Sequence, residues 1–390
     1  MALSLSVPVR RVRRYGSLSL ITGVYFAFHT MTITAIAVIA PGLADASIAV
    51  TIYLGFGLLL DSPAAQLGAR YGLRPLVAAS GGLIVVTAGT TLMLGSGWWV
   101  MVSAAVFATC SSLIYIPTLA RYSELLGPAQ AAGQRMSVLV QRVGALIASG
   151  VIYFTLGRGV NGDLLGGIII AGAILLASAF TLPHATIHRL PTKPVGPISS
   201  MRFSLGEIVR SSTMVRGAVA AASMPIVFAA AGSVLPMALP GMGAAIGIGL
   251  AFRELLAMIA SRFLGRGSLA RTNREFAAAG VVAGVGFCFA AAAGSAIAVV
   301  MGLALSGPLI GGAIMASTLN TRQAALASDR PWACFAGMGM AARAGGLAGP
   351  LLLGWMLSFG RGALAAAFVL VLLTCAFYVG VGGWPKGRAR

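Results

Sequence analysis

Polar residues are sparse along this chain and fall into short clusters, so the hydropathy pattern reads as a series of long apolar runs. Runs centre on residues 17 to 40, 46 to 68, 76 to 95, 99 to 120, 137 to 157 and 164 to 183. A polar stretch from His184 to Arg216 follows, and further runs cover 217 to 238, 244 to 264, 276 to 294, 297 to 319, 333 to 357 and 362 to 383. A helix rises about 1.5 Å per residue, so about 20 residues cross a hydrocarbon core of about 30 Å. The pattern therefore predicts an all-helical membrane protein with twelve spans, six on each side of the polar stretch. The joints near Asp45 and Gly294 are short, and reading through them would reduce the count to ten or eleven.

Composition agrees with lipid as the solvent: 58% of residues are hydrophobic, 9% are charged and the mean hydropathy is +0.94. The net charge of +19 raises nucleic-acid binding as a question. That function needs a water-facing basic surface, which the apolar runs leave no room for. The basic residues instead alternate. With the N-terminus inside, the inward-facing segments hold 22 of the 27 Lys and Arg: residues 10 to 14, 70 and 74, 121 and 135, 189 to 216, 262 to 274, 322 and 330, and 386 to 390. Only Arg158 and Arg361 fall on outer joints, and Arg142, Arg253 and Arg343 fall within spans. This is the positive-inside bias, and it predicts both termini in the cytoplasm. The basic and then apolar N-terminus resembles a signal peptide, but the apolar run continues for a membrane thickness and reads as a retained first span. Cys110, Cys288, Cys334 and Cys375 all lie in apolar runs, so no disulfide or metal framework is expected.

The joint between spans two and three carries a compact basic knot, "QLGARYGLRPLV". Pro63, Leu67, Arg70, Tyr71, Gly72, Arg74 and Pro75 resemble the loop signature of the major facilitator superfamily, roughly G-x-L-A-D-R-x-G-R-R. Ala65, Ala69 and Leu73 depart from it, and Ala69 stands where the family carries an acid that helps hold its two halves together. A plain tight turn with two topology-setting arginines, Arg70 and Arg74, is the other reading of this joint. The chain also repeats itself. "QRVGALIASG" in span five matches "ARAGGLAGPL" in span eleven, pairing Arg142 with Arg343 and Gly144 with Gly345. Asp61 precedes Gly72 by 11 residues, as Glu254 precedes Gly265. An offset of six spans preserves orientation, as between the two halves of a facilitator. The implied organisation is a half at 1–190, a basic cytoplasmic linker at 191–214 and a second half at 215–390.

Charges inside spans cost about 3 kcal/mol each on insertion scales, so they face partners or a cavity. In the facilitator arrangement span two abuts span eleven and span five abuts span eight. The resemblance therefore puts Asp61 opposite Arg343 and Glu254 opposite Arg142, two cross-interface pairs that would latch the cytoplasmic side in place of the acid missing at Ala69. Snorkelling to the headgroups is the alternative for these arginines, most readily for Arg142. Arg253 adjoins Glu254, so the two are expected on different helix faces, with one of them in the cavity. A buried carboxylate is the expected proton carrier, Glu254 first and Asp61 as the alternative, and His29 in span one is the third candidate, as a proton or solute ligand or as a packing histidine. His184 and His188 have helical spacing but lie in a basic loop without added acids or cysteines, a poor metal site.

No phosphate-binding Gly-Lys-Ser/Thr loop occurs, and the glycines follow small-x-x-x-small spacing suited to helix packing. No enzyme activity, catalytic residue, metal or cofactor is expected. What the resemblance implies is secondary transport of a small organic solute by alternating access, first as proton-coupled efflux of a drug, siderophore or metabolite. Span four lacks a buried Arg common in proton-linked exporters, and no acid precedes Asp45 in span one. An importer of a small anion or siderophore on the same fold is the alternative, and a receptor or scaffold that merely anchors is the reading from another class. Three arginines, two acids and His29 in the interior favour an anionic or zwitterionic solute. The expected partners are that solute, protons and the bilayer, with the protein as a monomer.

Overall fold

The computed structural model describes residues 9–40, 43–95, 97–126, 130–158, 162–182, 196–229, 242–264, 268–293 and 295–357. Every element among them is a helix. In lipid this is forced, because a helix satisfies its backbone hydrogen bonds within one segment. The first six are α1 (Val9–Ile39), α2 (Leu43–Tyr71), α3 (Leu73–Leu94), α4 (Trp98–Leu126), α5 (Gln130–Arg158) and α6 (Gly162–Ala179). A short helix, α7 (Pro197–Arg210), precedes α8 (Ser212–Ala229), α9 (Gly243–Phe263), α10 (Leu269–Ala293), α11 (Ala296–Leu305), α12 (Gly307–Leu326) and α13 (Pro331–Leu357). Eight stretches of the described residues are long and apolar enough to cross a membrane: one each in α1 to α6, one in α9, and the joined α11–α12 run from Ala296 to Leu326. The last apolar run, 362 to 383, lies outside the described residues, as do Arg361, Gly265, His184 and His188.

The two short joints do break the chain. α1 ends at Ile39 and α2 starts at Leu43, with Asp45 in its first turn. Ser295 caps α11, its hydroxyl accepting from the Ala298 amide at 3.3 Å. The linker differs from expectation in containing α7. Arg322, expected in a loop, is buried near the end of α12.

One buried cluster draws on α1 to α6, among them Ile21, Phe28, Tyr53, Ile84, Phe107 and Ile168. Another draws on α8 to α12, around Phe276, Leu303 and Leu309. Smaller clusters join them: Val138 of α5 meets Ala257 and Ile310, while Ala65 and Ile116 meet Ala336 of α13. The seams α5 with α9 and α2 with α13 thus hold the first six helices to the later ones, and both carry charge.

Candidate functional site

Glu254 of α9 is fully buried between two arginines. Arg142 of α5 donates from Nη1 to Oε2 at 2.8 Å, and both side chains are 0% exposed. Arg253 curls back onto its neighbour, donating from Nε and Nη2 to Oε1 at 2.9 and 2.7 Å. Adjacent residues do point apart on a helix, but the long guanidinium stem closes the gap. The expected division, one group paired and the other in the cavity, is therefore corrected to one carboxylate gripped by two cations. Arg142 does not snorkel; its guanidinium lies 5.3 Å from the centre of the Phe26 ring.

The second pair is looser. Arg343 of α13 places Nε 3.7 Å from Oδ2 of Asp61 on α2, beyond hydrogen-bond range. Among the described residues neither Asp61 oxygen has a hydrogen-bond partner, nor does Arg343 Nη1. Small residues shape this seam reciprocally. Gly57 lies one turn before Asp61, and a Cβ there would stand 2.6 Å from Arg343 Nε. Gly339 lies one turn before Arg343, and a Cβ there would stand 2.8 Å from Asp61 Oδ2. Each helix omits a side chain where the other inserts its charge.

Around Arg343 gathers a cluster that the sequence reading did not single out. Its Nη2 donates to Ser111 Oγ of α4 at 2.6 Å. Ser111 Oγ is also 2.9 Å from the Tyr25 hydroxyl. The Tyr25 ring stacks on Tyr115 at 5.1 Å and on His29 at 5.8 Å. His29 Nδ1 lies 2.6 Å from the Tyr53 hydroxyl, and the Arg343 guanidinium sits 5.6 Å from the Tyr53 ring. His29 thus joins an aromatic network centred on an arginine. The nearby groups Thr22, Tyr25, Tyr115, Thr118, Ser137 and Gln141 line a small uncharged pocket between α1, α4 and α5.

The loop residues stand apart from this centre. Gly72 has φ 80° and ψ 172°, a conformation that disfavours any side chain, and it separates α2 from α3. Arg74 lies 5.6 Å from the Phe180 ring, while Arg70 is exposed beside Tyr71. The knot makes a turn and anchors it on the end of α6.

The repeated Arg-x-Gly has a repeated geometry. A Cβ on Gly144 would run into the backbone carbonyl of Gly23 on α1, and one on Gly345 into that of Ala222 on α8. Gly144→Ala and Gly345→Ala are each expected to lower stability by about 1 to 3 kcal/mol, the usual cost of overpacking. Thermal unfolding in detergent checks this, with Gly150→Ala as control because its Cβ would meet nothing within 4 Å. Equal melting of all three variants would refute the close-approach account.

No family model matches the chain, and no curated protein matches it in sequence. Its fold is similar to that of a crystal structure of the nucleoside transporter NupG, with a TM-score of 0.66 at 12% identity over 94% of this chain and 99% of that one. At that identity the likeness is one of fold.

Proposed function

We propose that the chain is a secondary transporter of the major facilitator type, with twelve spans in two six-helix halves (1–190 and 215–390) joined by the linker at 191–214. It carries a small organic solute by alternating access in exchange for protons, and so exports it, with both termini in the cytoplasm of a bacterial inner membrane. The observation that carries this reading is the placement of buried charge. Asp61, Arg343, Arg142, Glu254 and Arg253 all lie where α2 meets α13 and α5 meets α9, the seams that a rocking transporter opens and closes. An anchor has no use for such costly groups there. The excess of cations over carboxylates supports an anionic or zwitterionic solute. Asp61 takes the place of Glu254, the first expectation, as candidate proton carrier, since its oxygens are not committed to hydrogen bonds, whereas both oxygens of Glu254 are.

The test uses the full chain in proteoliposomes with an imposed pH gradient. Uridine is one probe, because the neighbour of similar fold is a nucleoside transporter; a hydroxamate siderophore and a zwitterionic drug are others. Antiport predicts accumulation when the interior is acid, whichever way the protein is inserted. Asp61→Asn is expected to abolish the gradient response and keep solute exchange in part, slowed by the loss of the charge opposite Arg343. Accumulation only with an acid exterior would establish the importer, and no movement of any probe would favour the scaffold.

A further inference from the structure

The linker helix α7 presents two unlike faces. Ser200 and Ser204 are fully buried, and both hydroxyls hydrogen-bond with that of Ser62 on α2, the residue after Asp61. The same side meets α13: a Cβ on Gly337 would stand 2.9 Å from the Ser204 carbonyl oxygen, and Cys334 Sγ lies 3.8 Å from Glu207 Oε2. The Arg330 guanidinium, just before α13, sits 3.8 Å from the Phe203 ring centre. On the opposite side Ile198, Leu205 and Val209 are 82%, 50% and 80% exposed. At about 100° per residue these three fall within a stripe about 40° wide, and Ser200 and Ser204 lie across the helix from it.

We propose that α7 is a lipid-facing brace: its hydroxyl face clamps α2 to α13 beside the Asp61 and Arg343 pair, and its apolar stripe lies among acyl chains of the adjoining leaflet. Depth supports lipid as the occupant. Ser62 precedes Arg70 by eight residues, about 12 Å along a helix, inside the apolar stretch Ile48–Tyr71. The exposed residues of α2 on either side of Ser62 are themselves apolar, through Phe56, Leu59 and Leu67, so the helix that α7 docks on also presents acyl-compatible side chains at this level. Arg202 and Arg210, both exposed, have stems long enough to bring their charges to anionic headgroups. Small hydroxyls suit the inner face, since Ser pairs bond across helices while letting them approach closely. Separation of α2 from α13 then requires α7 to leave one of them, giving up either the Ser62 hydroxyl or the close approach at Gly337, so α7 holds the seam closed at the level of its ion pair. This follows from the geometry whichever solute is carried.

The experiment uses the full chain in liposomes of phosphatidylethanolamine and phosphatidylglycerol, with the four native cysteines replaced. Nitroxide labels at positions 198, 205 and 209 are expected to collide more often with oxygen than with a water-soluble nickel chelate, and a label at position 210 is expected to do the reverse. Nickel dominating at 198 and 209, or labels immobilised there by another protein, would overturn the lipid assignment. For the brace, Ser62→Cys with Ser200→Cys should cross-link on mild oxidation. Ser112 of α4 is fully buried, its hydroxyl donating to the Gly57 carbonyl at 3.4 Å one turn from Asp61, and Ser200→Ala with Ser204→Ala should speed maleimide modification of Ser112→Cys several-fold. Failure to cross-link, or an unchanged modification rate in the double alanine variant, would refute the clamp.

Discussion

Glu254→Ala is expected to prevent accumulation of folded, monodisperse protein. The substitution leaves Arg142 and Arg253, which share that carboxylate while 0% and 1% exposed, as two like charges with no carboxylate between them. Removing one partner from a buried ion pair typically costs about 3 to 5 kcal/mol. Here a single deletion removes the carboxylate that two buried cations share, against a total stability of about 5 to 15 kcal/mol for a typical protein. Arg253→Met should be far milder, because Arg142 and Glu254 then remain one to one. Glu254→Ala combined with Arg142→Met and Arg253→Met should recover folding, since apolar replacement of a complete buried charge cluster is often neutral. Size-exclusion profiles and thermal unfolding in detergent read all of these. A Glu254→Ala protein that melts with the parent, or a triple variant no better than the single, would show that the cluster is not an interdependent unit.

Breaking the other pair is expected to change conformation. Asp61→Ala or Arg343→Ala removes the only charge within 4 Å of the partner among the described residues, at a typical cost of about 3 to 5 kcal/mol. Such a loss shifts a two-state equilibrium more than a hundredfold, toward the form with α2 and α13 apart. The rate of maleimide modification of Ser112→Cys should rise accordingly. The exchanged double variant, Asp61→Arg with Arg343→Asp, should recover part of the closure that either single exchange destroys. Gly57 and Gly339 make this exchange sterically plausible, because each seam-facing helix already leaves room for the other's guanidinium or carboxylate. A double variant no slower to react than the worse single one would remove the latch from the account, and Asp61 and Arg343 would then act as solute ligands.

Hydropathy alone determined the solvent, the helical class and where most helices stop, because a 30 Å apolar slab imposes one length scale on every span. The charges in that slab were equally legible as sites needing partners. The repeat and the resemblance sufficed to set Asp61 against Arg343 and Arg142 against Glu254, since both depend only on depth and on which spans neighbour one another. Tertiary structure alone decided the rest. Tyr25, Tyr53, Tyr115 and Ser111 gather around Arg343 and Phe26 faces Arg142, yet in spans that are apolar on every side nothing in the one-dimensional pattern separates a residue facing lipid from one facing the seam. A one-turn spacing of glycine before charge, Gly57 before Asp61 and Gly339 before Arg343, was present in the sequence as a signal of close approach, but many glycines share such spacings, and only the packed helices select the two that matter. The return of Arg253 onto Glu254 depended on a rotamer. The docking of α7 depended on two serines meeting a third more than a hundred residues away, a contact that arises from how α2 and α13 come together and not from any local preference of the linker.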